Sequence, residues 1–318
     1  QRNLKGFTVA QLVENRLGEE FVEKLVDPMM AGVHGSSASV LDAAVTLPGL
    51  MKNLHQSGSL VQAAAQTRAN QPRPGSAVAS INGGMFQMIN RLVELLLEAG
   101  AVVIYNSSAS SITRIDNVWR VQSGIAEYWA PRLSVATSAE VATSLVHQAA
   151  GVGPEASMPS SVDAVLLFAL VESAELNEYP LGSGALVAER SGFGAKATTH
   201  VNAKWAWIQS MLPADFHLIR LSYGRNGIAP VGNLEEIAAS DLRGLYGIEN
   251  AKIHELRTVH WSQGLYQSNS ESKSATESAK SFARKLEIEL CGSLIAGNGL
   301  LGITKDHYER VNNEPIQI

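Results

Sequence analysis

The chain has 318 residues, of which 45% are hydrophobic and 17% charged, and its formal net charge is −5. This length predicts two or three domains with a large core, and the composition is that of a soluble globular protein with a weakly charged surface. The acidic balance and the lack of a basic block argue against a nucleic-acid partner.

The cysteine and histidine content excludes several kinds of site. The single cysteine, Cys291, cannot form an internal disulfide or a thiolate metal site, and it fits a reducing compartment. Eight histidines are scattered along the chain, with His254 and His260 as the nearest pair. We therefore expect core or surface histidines and no metal site. No apolar run reaches the roughly 18 residues of a transmembrane helix and no signal peptide is visible, so a cytoplasmic location is expected.

The first part of the chain is predicted to be helical. Thr8 and Gln11 have the spacing of a capping box, and apolar residues then recur at helical spacing up to Leu25. Pro28 is predicted to end this helix and to be followed by a small-residue turn over residues 31–35. More helical structure is expected between about residues 39 and 66. A polar, proline-rich linker is predicted at 67–76.

An α/β unit is predicted next. Gly83 and Gly84 precede a helix with apolar residues along one face, and Gly100 is its expected C′ residue. The apolar run 101–105 predicts a strand, and two further strands are predicted on either side of a turn at Asp116-Asn117. A helix that leads into strands in this way is typical of an α/β unit.

Strands dominate the chain from residue 163 onward. Their spacing predicts an antiparallel or mixed sheet. The strand segments are residues 163–172, 184–190, 197–205, 217–225 and 252–261. Two helices are predicted among them, near 233–246 and 274–288.

The segment GNGLLG, residues 297–302, matches the GxGxxG pattern of dinucleotide sites. It follows an apolar run and could open a helix, but too few residues follow for a βαβ unit and its ribose-binding acid. A glycine-rich turn that lets the backbone approach a ligand or a packed helix is therefore the favoured interpretation.

No nucleophile or acid–base pair is apparent. A GxSxG elbow is absent, and Cys291 lies in an apolar run without a neighbouring base. Three tryptophans suit either a core or a pocket wall: Trp205, Trp207 and Trp261. Glycine turns and apolar walls without acid–base groups suit a large, flat, mostly apolar ligand whose chemistry belongs to a cofactor.

Read in order, these segments resemble the oxygen-dependent protoporphyrinogen and coproporphyrinogen oxidases, which are FAD enzymes of haem synthesis. The family run RRLGxEVxExLVxPLLxGIYAGD is similar to residues 16–35, and its SLxGGMxxL is similar to residues 80–88. Its GxGFLVP is similar to the segment from Gly182, and its closing GN…GVGI to residues 297–303. The resemblance is collinear over nearly the whole chain.

Shorter matches lie between these runs in the same order. They are Gly58-Ser59-Leu60, Thr199, Lys204-Trp205, Gly224-Arg225, Gly247-Ile248 and Trp261. The resemblance implies an α/β and α+β fold: a partial FAD/NAD(P)-binding flavoprotein fold of the amine-oxidase type, with a mixed-sheet substrate domain and a helical cap.

The resemblance also implies four segments. A helical cap on the substrate or membrane side is expected over 6–75, and an FAD-domain segment over 76–158. A substrate-binding sheet domain is expected over 159–290, and a C-terminal FAD-domain segment over 291–318.

The site residues are likewise implied by the resemblance. Gly32, Leu186 and Ser222 are expected to line the porphyrinogen cavity, where small residues leave room for the macrocycle. A second set is expected to contact FAD: Ala109, Trp261, Gly302, Ile303 and Thr304. No catalytic side chain and no metal are expected.

The implied activity is the six-electron oxidation of coproporphyrinogen III or protoporphyrinogen IX to the porphyrin, with FAD as cofactor and O2 as acceptor. Two alternatives stay open: a non-catalytic tetrapyrrole-binding relative, and an amine or polyene oxidoreductase of the same superfamily. The family's N-terminal GxGxxG segment and its propionate-gripping arginine have no counterpart in this sequence. The chain is therefore expected to be either a fragment of a longer enzyme, which we favour, or a degenerate relative. A peripheral membrane contact and a homodimer also stay open.

Overall fold

The computed structural model of the chain describes residues 6–69, 79–153, 156–225, 228, 231–267 and 269–313. Most of the predicted linker at 67–76 lies outside these residues. The chain forms two compact units, each made of two separate stretches. They are residues up to 103 with 163–262, and residues 104–162 with 263–318. The expected division into four segments remains a prediction.

The helices are mostly short and are concentrated in the first hundred residues. In chain order they are α1 (Val9–Leu17), α2 (Glu19–Phe21), α3 (Asp27–His34), α4 (Ala43–Thr46), α5 (Pro48–Ser57), α6 (Leu60–Ala69), α7 (Phe86–Glu98), α8 (Ala139–Ala149), α9 (Val201–Lys204), α10 (Ala206–Gln209), α11 (Leu234–Tyr246), α12 (Ser270–Leu286), α13 (Ser293–Ala296) and α14 (Leu300–Asn313). A π-helical turn, Val22–Val26, joins α2 to α3. Two 3₁₀ turns span Ala174–Glu178 and Glu189–Ser191.

The described strands form three sheets. They are β1 (Ser111–Ile115), β2 (Val118–Ser123), β3 (Ala126–Ala130), β4 (Ser134–Val135), β5 (Ser161–Glu172), β6 (Gly184–Leu186), β7 (Ala197–His200), β8 (Phe216–Tyr223), β9 (Lys252–Tyr266) and β10 (Glu289–Leu290). The largest sheet has the order β6-β7-β8-β5-β9.

The first helices are stabilised by local capping and by a small core. Thr8 and Gln11 form the predicted capping box at the start of α1. Helices α1 and α3 to α6 surround an apolar cluster that includes Leu12, Met30 and Leu54, each at most 3% exposed. Burying such side chains contributes roughly 1.5–3 kcal/mol each before the conformational entropy is subtracted.

The prediction that Pro28 ends the first helix is wrong. The helical path continues through the π-helical turn into α3, and Pro28 lies in the first turn of α3. Proline is tolerated there because its missing N–H would have no intrahelical partner. Helix α3 ends at His34, and Gly35 follows as the C-cap with a φ of 71°. Gly32 is therefore a helical residue and not part of a turn.

Helix α7 was predicted correctly, but the strand after it was not. Gly100 follows the C-cap Ala99 with a φ of 82°, as expected for a C′ residue. The run 101–105 contains no strand, and Val102 is 82% exposed. A strand needs a neighbour for its backbone hydrogen bonds, and no described strand pairs with this run.

The five-stranded sheet forms the core of the first unit together with α11. Pairs β6–β7, β7–β8 and β5–β8 are antiparallel. One face of β5 and β8 packs against Ala238 and Leu242 of α11. The residues that these two strands and this helix contribute to the core are buried. The strands lie where they were predicted, but two of them are shorter than expected. Strand β6 ends at Leu186 and is followed by the 3₁₀ turn Glu189–Ser191, and β7 ends at His200, directly before α9.

The second unit combines the meander β1-β2-β3, the parallel pair β4–β10, and helices α8 and α12. The predicted turn at Asp116-Asn117 is confirmed, with φ values of 48° and 65° that suit a type I′ hairpin. Trp119, which is 1% exposed, packs in the core of this unit with Leu290 and Leu294.

Candidate functional site

The large sheet has a second face that is only half-buried. Along β8, Ile219, Leu221 and Tyr223 are fully buried on the core face, whereas Leu218 and Arg220 alternate with them on the other face and are partly exposed. Residues directly opposite each other on paired strands point to the same face. The register then assigns a set of residues to this second face, which we call the open face. It comprises Leu166, Phe168, Leu170 and Glu172 on β5, Phe216, Leu218, Arg220 and Ser222 on β8, Ala197 and Thr199 on β7, and Gly184 and Leu186 on β6.

The three residues expected to line the substrate cavity lie close together in the first unit. Leu186 pairs with Ala197, and Ala197 pairs with Ser222, so Leu186 and Ser222 share one row of the open face. With about 4.8 Å between neighbouring strands, their backbones are roughly 10 Å apart. A Cβ atom built on Gly32 would lie 2.7 Å from Cδ2 of Leu186, so α3 rests on the same row. Their role in binding remains a prediction.

The residues expected to contact FAD are divided between the units. Trp261 lies on β9 and is 59% exposed, while Ala109 packs partly buried against the core of the second unit. Gly302, Ile303 and Thr304 were expected to form a turn, but they lie inside α14. The hydroxyl of Thr304 donates to the Leu300 carbonyl at 2.8 Å, so it is used within the helix.

Gly302 has a packing reason to be glycine. A Cβ atom there would lie 2.5 Å from the carbonyl oxygen of Ala296, which no side chain could tolerate. The GNGLLG segment opens helix α14 as the pattern suggested. It follows the short helix α13 and not a strand. The described residues therefore do not form a dinucleotide-binding βαβ unit at this segment.

The start of α14 nevertheless has room for a ligand. Gly297 and Gly299 have φ values of 74° and 106°, and no atom lies within 4 Å of a Cβ built on either. The first N–H groups of a helix have no intrahelical partners, and they carry partial positive charge. An open glycine backbone followed by the first N–H groups of a helix fits the electron-rich ring end of a flavin. The residues present thus fit that end of FAD, whereas the described residues offer no site for its pyrophosphate.

Arg220 is a charged group of the open face that the sequence analysis did not single out. Its Nη2 donates to the hydroxyl of Thr199 at 3.0 Å, and its buried Nε has no hydrogen-bond partner among the described residues. Burial lowers the pKa of the guanidinium, and no charged neighbour offsets this effect. The signal in the sequence was an arginine two residues before Ser222 in a strand of otherwise apolar character.

A pair of histidines lies on the core face of the same strands. Nε2 of His200 and Nδ1 of His217 are 2.9 Å apart, and both residues are 0% exposed. Burial, together with the neighbouring His217, lowers the pKa of His200 to about 4. Burial also lowers the pKa of His217. The two rings are therefore neutral core groups, as expected for most histidines of the chain.

The sequence predicts neither a metal site nor a transmembrane helix. Of the nearest histidine pair in the sequence, His254 has a carboxylate beside it, since its Nε2 lies 2.6 Å from a carboxylate oxygen of Glu172. Among the described residues, no cluster of three or more potential metal ligands is found. In the same part of the chain, no helix has both the length and the apolar character that crossing a bilayer requires.

The segment that leads into β7 is held by a buried carboxylate. Asp241 of α11 accepts hydrogen bonds from the backbone N–H of Ala195 at 2.7 Å and from that of Gly194 at 3.1 Å. It also accepts one from the hydroxyl of Tyr223 at 3.2 Å. Burial and the charge of Asp241 raise the pKa of Tyr223. Helix α11 thus fixes the chain that leads into β7.

Comparison with known sequences points to one group of enzymes. No protein-family model matches the chain. It is 28% identical to the coproporphyrinogen III oxidase of Mycobacterium leprae over 251 residues, which cover 76% of this chain and 52% of that protein. It is 26% identical to the coproporphyrinogen III oxidase of Mycobacterium tuberculosis over 275 residues, which cover 81% of this chain and 56% of that one. The chain spans about half the length of these curated relatives.

Solved structures share the fold. A provisionally named protoporphyrinogen oxidase from Exiguobacterium sp. 255-15 superposes with a TM-score of 0.76 at 18% identity, covering 97% of this chain and 67% of that one. Cyclohexylamine oxidase from Brevibacterium oxydans has a TM-score of 0.62 at 13% identity, covering 96% and 68%. The predicted resemblance to the porphyrinogen oxidases is confirmed, and so is the amine-oxidase-type flavoprotein fold.

Proposed function

We propose that this chain forms the substrate-binding part of an FAD-dependent porphyrinogen oxidase of haem synthesis, with coproporphyrinogen III as substrate. The observation that carries the proposal is the contact of Gly32 with Leu186 in the same row as Ser222. These residues are far apart in sequence. Gly32 and Leu186 were assigned to the substrate cavity by their places in family motifs, and Ser222 by its expected position on the neighbouring strand. The names of the curated relatives favour coproporphyrinogen over protoporphyrinogen.

The open face supplies the surface that a tetrapyrrole needs. Most of its residues are apolar, and the strands that carry them are fixed from behind by the core of the unit. A half-exposed sheet face of this kind binds a flat ligand through contact area and needs no charged partner for the ring itself. Gly32 leaves space above Leu186 where a larger residue would collide with it.

The reaction requires little acid–base chemistry from this surface. Oxidation of a porphyrinogen to the porphyrin removes six electrons and six protons, and three molecules of O2 accept them as hydrogen peroxide. FAD, when bound, supplies the acceptor for the hydrogen removed from the ring. The polar groups in the middle of the open face are Thr199, Arg220 and Ser222, and none of them is a base at neutral pH. The carboxylate of Glu172 lies at the far end of β5, where it contacts His254. The role of the chain is therefore to orient the ring and to exclude water.

The cofactor would be held in part by this chain. The residues of the second unit that fit it are the open backbone at Gly297 and Gly299 and the first N–H groups of α14. A helix start stabilises negative charge that develops on a bound ring. The remaining contacts, including those to the pyrophosphate, would come from polypeptide outside the described residues.

The test is an anaerobic absorption spectrum of the 318-residue chain, prepared both alone and with its adjoining coding sequence, before and after coproporphyrinogen III is added. We expect flavin bands in the extended protein that bleach on addition, and porphyrin fluorescence above the autoxidation control once air is admitted. A flavin-loaded protein that is not bleached would contradict the oxidase.

A flavin-free protein that binds coproporphyrin without oxidising the porphyrinogen would favour a non-catalytic tetrapyrrole-binding relative. That second candidate is supported by the lack of a pyrophosphate site among the described residues. An amine or polyene oxidoreductase is not favoured, because the sequence relatives are porphyrinogen oxidases.

A further inference from the structure

Arg220 lies in the middle of the open face with its charge uncompensated. The residue is directly opposite Phe168 on β5 and opposite Thr199 on β7, so strands flank it on both sides. Its one described hydrogen-bond partner is the Thr199 hydroxyl, a neutral acceptor, and its Nε is buried without a partner. A buried charge of this kind is unfavourable unless something pairs with it.

The surroundings of Arg220 are otherwise apolar. Its neighbours on the same face are Leu218 and Ser222 along β8, and Phe168 across to β5. The middle of the open face is thus largely apolar, with the Arg220 cation at its centre. A ligand that matches it has a flat apolar body and a negatively charged group.

A second half-buried arginine in the same unit, Arg225, has hydrogen-bond acceptors and carboxylate charges that stabilise its positive charge. Arg225 donates through Nη2 to the carbonyls of Val187 at 2.7 Å and Ala195 at 3.3 Å, and the charges of Glu189 and Asp27 act on it. Arg220 has no comparable carboxylate near it in the described part of the chain. Arg225 also has a buried nitrogen, Nη1, without a partner among the described residues. The difference is that carboxylate charges act on Arg225, whereas burial alone acts on Arg220.

We propose that Arg220, oriented by Thr199, binds a carboxylate of a flat apolar ligand on the open face. Arginine suits this role because its guanidinium stays charged and can donate two parallel hydrogen bonds to one carboxylate. If the ligand is the porphyrinogen, an identification that rests on the proposed function, the group bound is one of its propionate side chains. The bound propionate would then fix the rotation of the macrocycle on the sheet.

The test compares charged and esterified forms of two flat fluorescent probes. Coproporphyrin III and its tetramethyl ester form the first pair, and 1-pyrenebutyrate and its methyl ester form the second. Binding is measured by fluorescence titration to the unmodified chain and to Arg220→Met, Arg220→Lys and Thr199→Val. Arg190→Met is the matched control, since Arg190 is an exposed arginine of the same unit that pairs with Glu23. A thermal melt verifies that each variant is folded.

We expect Arg220→Met to weaken binding of the free acids about 10- to 100-fold, the size of one charge-assisted hydrogen bond, and to change ester binding less than about twofold. Arg220→Lys should retain part of the affinity for the free acids. Thr199→Val should weaken their binding several-fold, because the guanidinium of Arg220 is then no longer oriented by the Thr199 hydroxyl. If Arg220→Met does not fold, the Lys and Val variants decide the matter by the same comparison of acid with ester.

The outcomes separate this inference from the proposed function. Coproporphyrin that binds equally to the unmodified chain and to all Arg220 and Thr199 variants overturns the carboxylate site and leaves the oxidase proposal standing. Pyrenebutyrate binding that depends on Arg220, with no porphyrin binding, supports the site and overturns the porphyrinogen assignment. Absence of binding by either acid to the unmodified chain overturns both.

Discussion

Helix α3 rests on the edge strand β6 at a single close point, where a Cβ atom on Gly32 would lie 2.7 Å from Cδ2 of Leu186. Leu186 is 51% exposed, so its side chain can rotate away from an added methyl group. Leu186 belongs to the open face, so such a rotation would change the surface there. Gly32 therefore keeps Leu186 in its present position and keeps the surface beside it free.

Gly32→Ala should weaken coproporphyrin III binding several-fold while the free energy of unfolding changes by less than about 1 kcal/mol, because alanine's better helix propensity offsets the contact with Leu186. Adding Leu186→Ala should restore part of the affinity, since the two residues interact directly. Binding is followed by fluorescence titration and stability by urea denaturation. Gly49→Ala is the control, because nothing lies within 4 Å of a Cβ there; an equal effect of Gly49→Ala would contradict this explanation.

Acid should destabilise the fold through the buried histidine pair. The pKa of His200 falls from 6.5 to about 4 in the folded chain, so the unfolded chain binds more protons between these pH values. The unfolding free energy should therefore fall as the pH is lowered from about 6.5 to 4, by at most about 1.4 kcal/mol per pH unit for this group. Above pH 6.5 the group should have no effect.

His200→Gln should flatten this part of the pH profile, measured as urea midpoints at half-unit steps of pH. His55→Gln is the control, since His55 is exposed at the end of α5. An unchanged slope in His200→Gln would show that other groups determine the acid limit.

Asp241 should be more important to stability than the hydroxyl that it binds. Asp241→Ala leaves the N–H groups of Gly194 and Ala195 without their acceptor, and we expect a loss of about 2–4 kcal/mol in unfolding free energy. Tyr223→Phe removes one hydrogen bond but leaves the Asp241 carboxylate its two backbone donors. The expected loss in unfolding free energy is about 1 kcal/mol. Equal losses in thermal or urea denaturation would contradict this order.

Helix α7 should account for most binding of apolar dyes. Its residues Ile89, Leu92 and Leu96 are each about half exposed and lie on one face of the helix. A contiguous exposed apolar patch binds such dyes, whereas single exposed residues do so weakly. The double variant Leu92→Gln/Leu96→Gln should reduce bis-ANS fluorescence severalfold with little change in stability.

Val61→Gln is the control for the dye experiment, because Val61 is an exposed apolar residue on another helix. If this variant lowered the dye signal as much as the double variant does, the face of α7 would not be the dominant exposed patch.

Local chemistry was predictable from the sequence. The capping box at Thr8 and the hairpin turn at Asp116-Asn117 depend on residues a few positions apart, and both are present. The prediction for Pro28 was wrong because a proline disrupts a helix only in its interior, whereas Pro28 lies in the first turn of α3, where proline is tolerated. Residues 101–105 have the apolar pattern of a strand, but a pattern alone cannot provide the neighbouring strand that its hydrogen bonds need.

The candidate site was predictable only in part. The family motifs identified Gly32 and Leu186, and Ser222 was expected on the neighbouring strand. The structure shows that the three lie near one another. Arg220 was missed because its significance depends on what lies beside it on β5 and β7. Pairing between distant strands sets those neighbours, and a single strand sequence does not specify them.

The most direct test of the tetrapyrrole-binding surface is a methyl NMR titration of the leucine-labelled chain with coproporphyrin III. The large ring current of the porphyrin should shift the methyl signals of Leu166, Leu186 and Leu218 on the open face. Leu12 and Leu54 in the helical core should remain unshifted. Shifts confined to the exposed leucines of α7, with the open-face signals unchanged, would contradict the account, because the ligand would then bind a different surface.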